Sequence, residues 1–494
     1  MDSSAFGKLQ VVLIVRFVII VVSFFYICDS KQRITGMNKI LIVMAFLSFS
    51  VALKAQDITG HWGGKLNIQG IQLRVIFHIA RSGDAYVTTM DSPDQGAKGI
   101  PTGKTEYSNS VLTIVAPGMG MTYTGTWQGN DTIKGTFMQS GMTLPLELIR
   151  TEENSLRPQE PKPPYPYHTE EVTVENVKAG VKLAGTLTLP EREGDYPVVI
   201  LITGSGPQNR DEEIEGHKPF LVIADYLTRQ GIGVLRLDDR GVGLSTGDFG
   251  KATTMDFADD IESAVIFLKK RKVRQVGLIG HSEGGMIAPL VATRTEGVDF
   301  IVLLAGPGLR GDKILLGQQE AISRALGMAD SVLNYSKIVN KKCFDIVVQS
   351  GSEDKAEGVL KNYMDSLTRI GRLPANMKNE QGAELWRRQV LSPWMYFFVT
   401  YDPVPTLESV KCPVLALNGS NDLQVLPENL EIIKKALEAG GNRQVTVKEL
   451  PGLNHLFQTC KSGSPTLYGT ITETFSPVAL KEIGEWIGKL KGKN

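Results

Sequence analysis

The apolar run Val276-Gly277-Leu278-Ile279 passes straight into Gly280-His281-Ser282-Glu283-Gly284 and then into the helix-like stretch Met286-Ile287-Ala288-Pro289-Leu290-Val291-Ala292. A strand that must become a helix within a few residues forces strained dihedrals on the turning residue, and flanking glycines make room for the close passage of backbone. The expected product is a serine hydroxyl standing at the top of a sheet, with the N–H groups of the helix start facing the same space. In a chain with 51 glycines the G-x-S-x-G pattern alone is weak. Its strand-turn-helix setting is what carries the expectation.

The surrounding sequence alternates in the same way. Pro197 to Ile202 is continuous and apolar, as a strand covered on both faces should be. Helical patterns over Lys218–Gln230, Thr254–Lys270 and Glu283–Thr293 interleave with strands over Ile232–Leu237, Val276–Ile279 and Phe300–Leu304. This predicts a doubly wound α/β sheet, entered through a hairpin of Glu171–Val174 and Val181–Leu189. The alternation stops at Gly308 and resumes at Pro413–Leu417. Between them, at about 309–405, helical segments ending in Trp394-Met395-Tyr396-Phe397-Phe398 predict a cap, its aromatics either cap core or the lining of an acyl pocket.

At 494 residues the chain should hold several parts. From 57 to 150, short alternating runs such as Leu73–Phe77, Val111–Val115 and Leu144–Leu148 between Gly, Asn and Asp turns predict a small all-β domain. Thr59–Gly64 and Thr124–Gly129 resemble each other, as strands at two ends of a barrel or sandwich would. Exposed Trp62 or Trp127 could grip a glycan, against the plainer reading of a domain that packs on its neighbour. Residues 151–168 carry five prolines and read as an extended linker before the α/β domain at 169–494. Residues 1–56 read as a leader: Met37-Asn38-Lys39 followed by the apolar Ile40–Leu53 has the form of a signal peptide, and Val11–Cys28 is about long enough to span a bilayer. The expectation is an exported protein, periplasmic or extracellular, touching membrane only through an uncleaved leader.

Lys plus Arg and Asp plus Glu both number 53, so no overall field draws the chain to nucleic acid. Four cysteines, Cys28, Cys343, Cys412 and Cys460, form no C-x-x-C pair, so neither a metal cluster nor a disulfide framework is expected.

A serine hydroxyl attacks only if a base takes its proton, and the base needs a third group to hold its tautomer. His455, in Leu450-Pro451-Gly452-Leu453-Asn454-His455, follows the strand Gln444–Lys448. Asp422, in Gly419-Ser420-Asn421-Asp422, follows the strand Pro413–Leu417. His281 adjoins the serine but should point away from it, as a structural or pocket-lining residue. His217 reads as a surface residue that could touch substrate. The order Ser282, Asp422, His455 matches that of α/β-hydrolases.

From about Glu170 onward, on Gly280–Gly284, Asp239-Arg240-Gly241-Val242-Gly243-Leu244-Ser245, Gly419–Asp422 and Gly452–His455, the chain resembles the α/β-hydrolase superfamily. Within it, the likeness is to capped bacterial esterases and serine aminopeptidase-like hydrolases. Thr203-Gly204-Ser205-Gly206-Pro207 replaces the His-Gly pair that many members show, and by position the resemblance implies an oxyanion hole from the backbone N–H of Ser205, with Gly206 beside it, and of Glu283. Gly241–Gly247 is not a dinucleotide fingerprint, because its glycines do not leave a strand directly. A packed loop with an Asp239–Arg240 ion pair is expected instead.

The function expected is a serine hydrolase acting on small-molecule carboxylic esters through an acyl-enzyme, without metal or organic cofactor. An aminopeptidase or dipeptidyl-peptidase-like activity is the alternative if a cap carboxylate such as Glu320, Asp354 or Asp365 faces the site. A non-catalytic glycan or envelope binding protein is the rival from another class.

Overall fold

The computed structural model describes residues 57–68, 71–92, 97–129, 131–151, 157–374, 377 and 379–490. The leader, with its signal-peptide and anchor expectations, lies outside the described residues.

The N-terminal strands β1 (Gly60–Ile68), β2 (Ile71–Ser82), β3 (Ala85–Ser92), β4 (Ala97–Pro101), β5 (Lys104–Ser108), β6 (Val111–Ala116), β7 (Met121–Gly129), β8 (Thr132–Gln139) and β9 (Met142–Thr151) pair antiparallel. Because β1 pairs with β9 and β2 with β3, the sheet closes on itself, with β4 appended outside β3. Closure removes the exposed edges an open sheet would leave. Alternate residues point inward, and Trp62, Phe77, Tyr123 and Ile133 are all 0% exposed. Trp62 is therefore core, which rules it out as the exposed glycan platform that the sequence left as an alternative. Its ring meets Trp127 edge-on at 5.3 Å and lies 4.4 Å beneath the Arg150 guanidinium, contacts that keep it inside.

The Pro-rich segment is tied down. Arg157 is buried and donates to the carbonyls of Glu215, Gly216, Gly469 and Ile471 at 3.0–3.1 Å. Gln159 Nε2 donates to Phe475 O at 2.7 Å.

The second sheet has the order β10-β11-β13-β12-β14-β15-β16-β17, from β10 (His168–Asn176), β11 (Val181–Leu189), β12 (Val198–Ile202), β13 (Gly233–Leu237), β14 (Val276–His281), β15 (Phe300–Leu304), β16 (Val414–Gly419) and β17 (Val445–Leu450). The hairpin β10–β11 is antiparallel and β13 to β17 run parallel with β12. Strands β12 to β16 are buried along their whole length, as their largely apolar sequences require. Helices α1 (Pro219–Arg229) and α11 (Pro477–Leu490) cover one face; α2 (Thr254–Lys270), α3 (Gly284–Arg294) and α10 (Asn429–Ala439) cover the other.

Between β15 and β16 the chain is helical: α4 (Gly311–Ala325), α5 (Asp330–Ser350), α6 (Glu353–Arg369), α7 (Glu380–Val390), α8 (Pro393–Thr400) and α9 (Val404–Ser409). Helix α8 divides its side chains between two clusters. Met395, Tyr396 and Val399 pack into the core of this insertion, while Trp394 and Phe398, one turn apart and stacked at 5.4 Å, join Met286 of α3.

Candidate active site

Ser282 occupies the turn from β14 to α3 with φ +52°, a left-handed conformation rare for a residue with a side chain. Its N–H donates to Leu304 O at 2.8 Å, pinning the turn to the next strand. The flanking glycines are obligatory: a Cβ on Gly280 would stand 1.9 Å from Gly284 O, and one on Gly284 would stand 2.2 Å from Ile202 O. The resulting serine is half-buried, so a small molecule can reach it.

Asp422 and His455 stand past the carboxyl ends of β16 and β17, where ligands bind in open α/β sheets. The Asp422 carboxylate is 1% exposed and fully used. One oxygen accepts the N–H groups of Gln424 and Val425 at 2.8 and 3.0 Å, and the other meets His455 Nδ1 at 2.8 Å. A carboxylate can only accept here, so Nδ1 carries the proton and Nε2 is left as the basic nitrogen. No hydrogen bond joins Ser282 to His455 among the described residues.

The two are nonetheless tied through the residue before the serine. His281 Nε2 meets His455 O at 2.9 Å, and its Nδ1 meets Glu212 Oε1 at 2.9 Å. Glu212 Oε1 also accepts the N–H of Gly204 at 2.7 Å, so one carboxylate clamps the β12 turn and the elbow together. Both ring nitrogens of His281 face acceptors only, which makes the ring a doubly protonated imidazolium paired with Glu212. Burial works against that charge, but Glu212 outweighs it and holds the His281 pKa above its ordinary value. His281 is thus a structural strut.

Sequence reasoning valued Glu283 for its backbone and missed its side chain. The carboxylate is 2% exposed and accepts from Ser205 Oγ at 2.8 Å, Thr254 Oγ1 at 2.7 Å and Trp394 Nε1 at 2.8 and 3.0 Å. Burial raises its pKa and the three donors oppose the rise. A capping box between Thr253 and Asp256 fixes the start of α2 and so delivers the Thr254 hydroxyl. Glu283 therefore knots together the elbow, the β12 turn, α2 and cap helix α8. The glutamate next to the serine was a visible signal; its partners lie 29 to 111 residues away and were not.

Two expectations need correction. His217 is 0% exposed rather than on the surface, with Nδ1 against Thr474 Oγ1 at 2.9 Å and Nε2 against Tyr468 O at 3.0 Å; the segment 464–476 folds over it. Asp239 and Arg240 do not pair with each other. Arg240 binds Asp260 at 2.7 and 2.9 Å and Asp256 at 3.1 Å, because adjacent side chains leave the strand end in opposite directions. Asp239 instead accepts from Thr203 Oγ1 and Gln208 N at 2.8 and 3.0 Å, and burial pushes its pKa up to about 7.

The cap carboxylates that an aminopeptidase reading would recruit are on the surface. Glu320 pairs with Arg324 at 3.2 Å and with Lys337, Asp365 pairs with Lys361 at 2.6 Å, and Asp354 is exposed.

A sheet of this order, an elbow with a strained serine and a buried Asp–His pair at the carboxyl ends of later strands are accompanied by a family match: residues 218–459 fit the model described as serine aminopeptidase, S33. Over those residues the chain resembles that family, and its sheet with helical insertion has the α/β-hydrolase fold. Among curated relatives, esterase EstD of Thermotoga maritima is 27% identical over 308 residues, covering 62% of this chain and 66% of that protein, just under two thirds of its length. An uncharacterised 31.7 kDa protein of Escherichia coli is 23% identical over 276 residues, 54% of this chain and 87% of the relative. Among solved structures, an esterase of Pyrococcus furiosus aligns at 17% identity and TM-score 0.41, over 65% of this chain and 91% of its own. The family match spans α1 to the His455 loop and includes the helical insertion; an antiparallel barrel-like domain precedes the hydrolase sheet.

Proposed function

We propose that this protein is a serine hydrolase that cleaves small-molecule carboxylic esters through an acyl-enzyme. Ser282 Oγ attacks the ester carbonyl while His455 Nε2 takes its proton, and Asp422 holds the imidazole by its Nδ1–H. The tetrahedral oxyanion is received by the backbone N–H groups of Ser205 and Glu283; that of Gly204 is already engaged by Glu212. Collapse breaks the C–O bond and the alcohol leaves with the proton from His455. Water, deprotonated by the same nitrogen, then releases the acid and restores Ser282. No step requires a metal or organic cofactor.

The observation that carries this reading is the buried 2.8 Å contact between Asp422 and His455, on a loop whose carbonyl is held by the neighbour of Ser282. The likeness to esterase EstD favours ester over amide, and so do the cap carboxylates, which are occupied or exposed at the surface rather than waiting for an ammonium group. The test is labelling by a fluorophosphonate probe together with turnover of p-nitrophenyl acyl esters, aminoacyl anilides and dipeptidyl anilides. Wild type should label and prefer esters. Ser282→Ala should lose label and activity, and Asp422→Asn should lose on the order of 10³–10⁴ in kcat. Labelling that survives in Ser282→Ala, or amide turnover exceeding ester turnover, would overturn the assignment.

A further inference from the structure

Among the described residues, the closed N-terminal barrel is filled at one end only. Around Trp62, Phe77 and Tyr123 its interior is solid; toward the other end lies a cavity of about 120 Å³. Its deep walls are Leu66, Val75, Met90 and Phe137, each 2–5% exposed. All four sit on inward-pointing positions, in register with the plug: Leu66 follows Trp62 by four residues, Val75 precedes Phe77 by two, and Phe137 follows Ile133 by four, so the cavity belongs to the barrel lumen and not to a gap between strands. Met119 and Met142 stand at the mouth, and Met142 is 48% exposed. The polar side chains along the walls are those of Ser92 and Gln139.

Eight strands give a barrel just wide enough either to be filled by side chains or to hold one small ligand. Here the side chains fill half. The unfilled half is lined by hydrocarbon and thioether, which forfeit van der Waals contact while nothing occupies the space. Methionines at the mouth are flexible enough to reshape around a guest. The volume is somewhat below the roughly 150 Å³ that admits a benzene-sized molecule, so the lumen suits about five carbons.

We infer that the N-terminal barrel is a binding site for a slim apolar chain, an unbranched alkyl or acyl tail of about five carbons whose polar head stays at the mouth. It is separate from Ser282 and does not depend on the proposed hydrolysis. Nonspecific packing would give no size limit, whereas a lumen closed by Trp62 and Tyr123 does.

The full-length protein, labelled with ¹³C-methyl methionine, can be titrated with 1-alkanols from propanol to decanol. The Met90, Met119 and Met142 methyl signals, assigned by single Met→Leu variants, should shift saturably. Affinity should tighten about fourfold per methylene up to pentanol or hexanol and then level off. Val75→Phe, which fills the lumen, should weaken pentanol binding at least tenfold while p-nitrophenyl ester turnover is unchanged. If Val75→Phe does not fold, Met142→Trp at the exposed mouth serves the same purpose. Unshifted barrel methionines, shifts confined to Met286 beside the elbow, an affinity that climbs steadily through decanol, or undiminished binding in the filled variant would each overturn the proposal.

Discussion

Trp394 Nε1 reaches across from the cap to a carboxylate that is otherwise held by Ser205 and Thr254, so a single indole N–H couples cap position to the turn beside the serine. Trp394→Phe keeps the ring and its stacking on Phe398 but removes that donor. It should cost about 1–3 kcal/mol of stability, the range for a buried bond to a charged acceptor, with ester kcat/KM falling more than the loss of folded protein explains. Unchanged kinetics in a folded variant would show that the knot is only structural. His217 gives a pH-dependent prediction with a definite sign. Burial pushes its pKa from 6.5 down to about 4, so the fold keeps the ring neutral while the unfolded chain takes up a proton first. Its stabilising contribution is complete above about pH 6.5 and is lost as pH falls toward 4. Asp239, raised from 3.8 to about 7, has the opposite slope: its contribution is present below 3.8 and lost as pH rises through 7. The difference between wild type and His217→Gln isolates the first. In urea unfolding it should shrink by roughly 2–3 kcal/mol between pH 7 and 4.5, and a pH-independent difference would contradict the burial argument.

At the scale of elements, the β14 turn and α3 form one unit whose geometry is set by what the glycines lack. Gly280→Ala would place a methyl 1.9 Å from the carbonyl of Gly284, backbone against backbone, with no flexible side chain to yield. The expected result is a loss of about 3 kcal/mol or more and of fluorophosphonate labelling. Gly358, mid-helix in α6 and facing open space, predicts the reverse: Gly358→Ala should stabilise by about 0.5–1 kcal/mol with turnover unchanged. Comparative thermal denaturation of the two variants checks both signs. These elements were legible in the sequence because their determinants are local. The central strands are largely apolar runs, α2 spans Thr254–Lys270 as its pattern predicts, and the glycines announce the elbow. The helix α8 was legible as an apolar aromatic run but not in its division of labour, since which side of it meets Met286 depends on where the whole cap lands.

In the whole molecule, what the sequence left unread is what depends on distant partners. Closure of the barrel requires β1 to find β9 across most of the domain, and no local pattern distinguishes that from an open sandwich. Asp422 and His455 could be found because each follows its own strand, whereas Glu212, which sits in an irregular loop with φ +50°, has no motif to mark it as the clamp on His281 and Gly204. The same holds for the Pro-rich segment, whose composition suggests a spacer and conceals a fastening. Arg157 inserts its guanidinium between two stretches of the hydrolase domain, 215–216 and 469–471, and donates to a carbonyl at each end of both. Tyr468 directly precedes the second stretch and its carbonyl receives His217, so loosening that stretch should reach the packing behind the His455 loop through Gln458. Arg157→Ala leaves these carbonyls without their buried cation and should lower stability by about 3 kcal/mol. It should also expose residues 157–168 to limited proteolysis at protease concentrations that spare wild type. Arg157→Lys keeps the charge but has no planar fork to span both stretches, and should recover less than half of the loss. Full recovery by lysine would mean that charge alone holds the segment, and an unchanged melting temperature in Arg157→Ala would mean that the linker is a spacer after all.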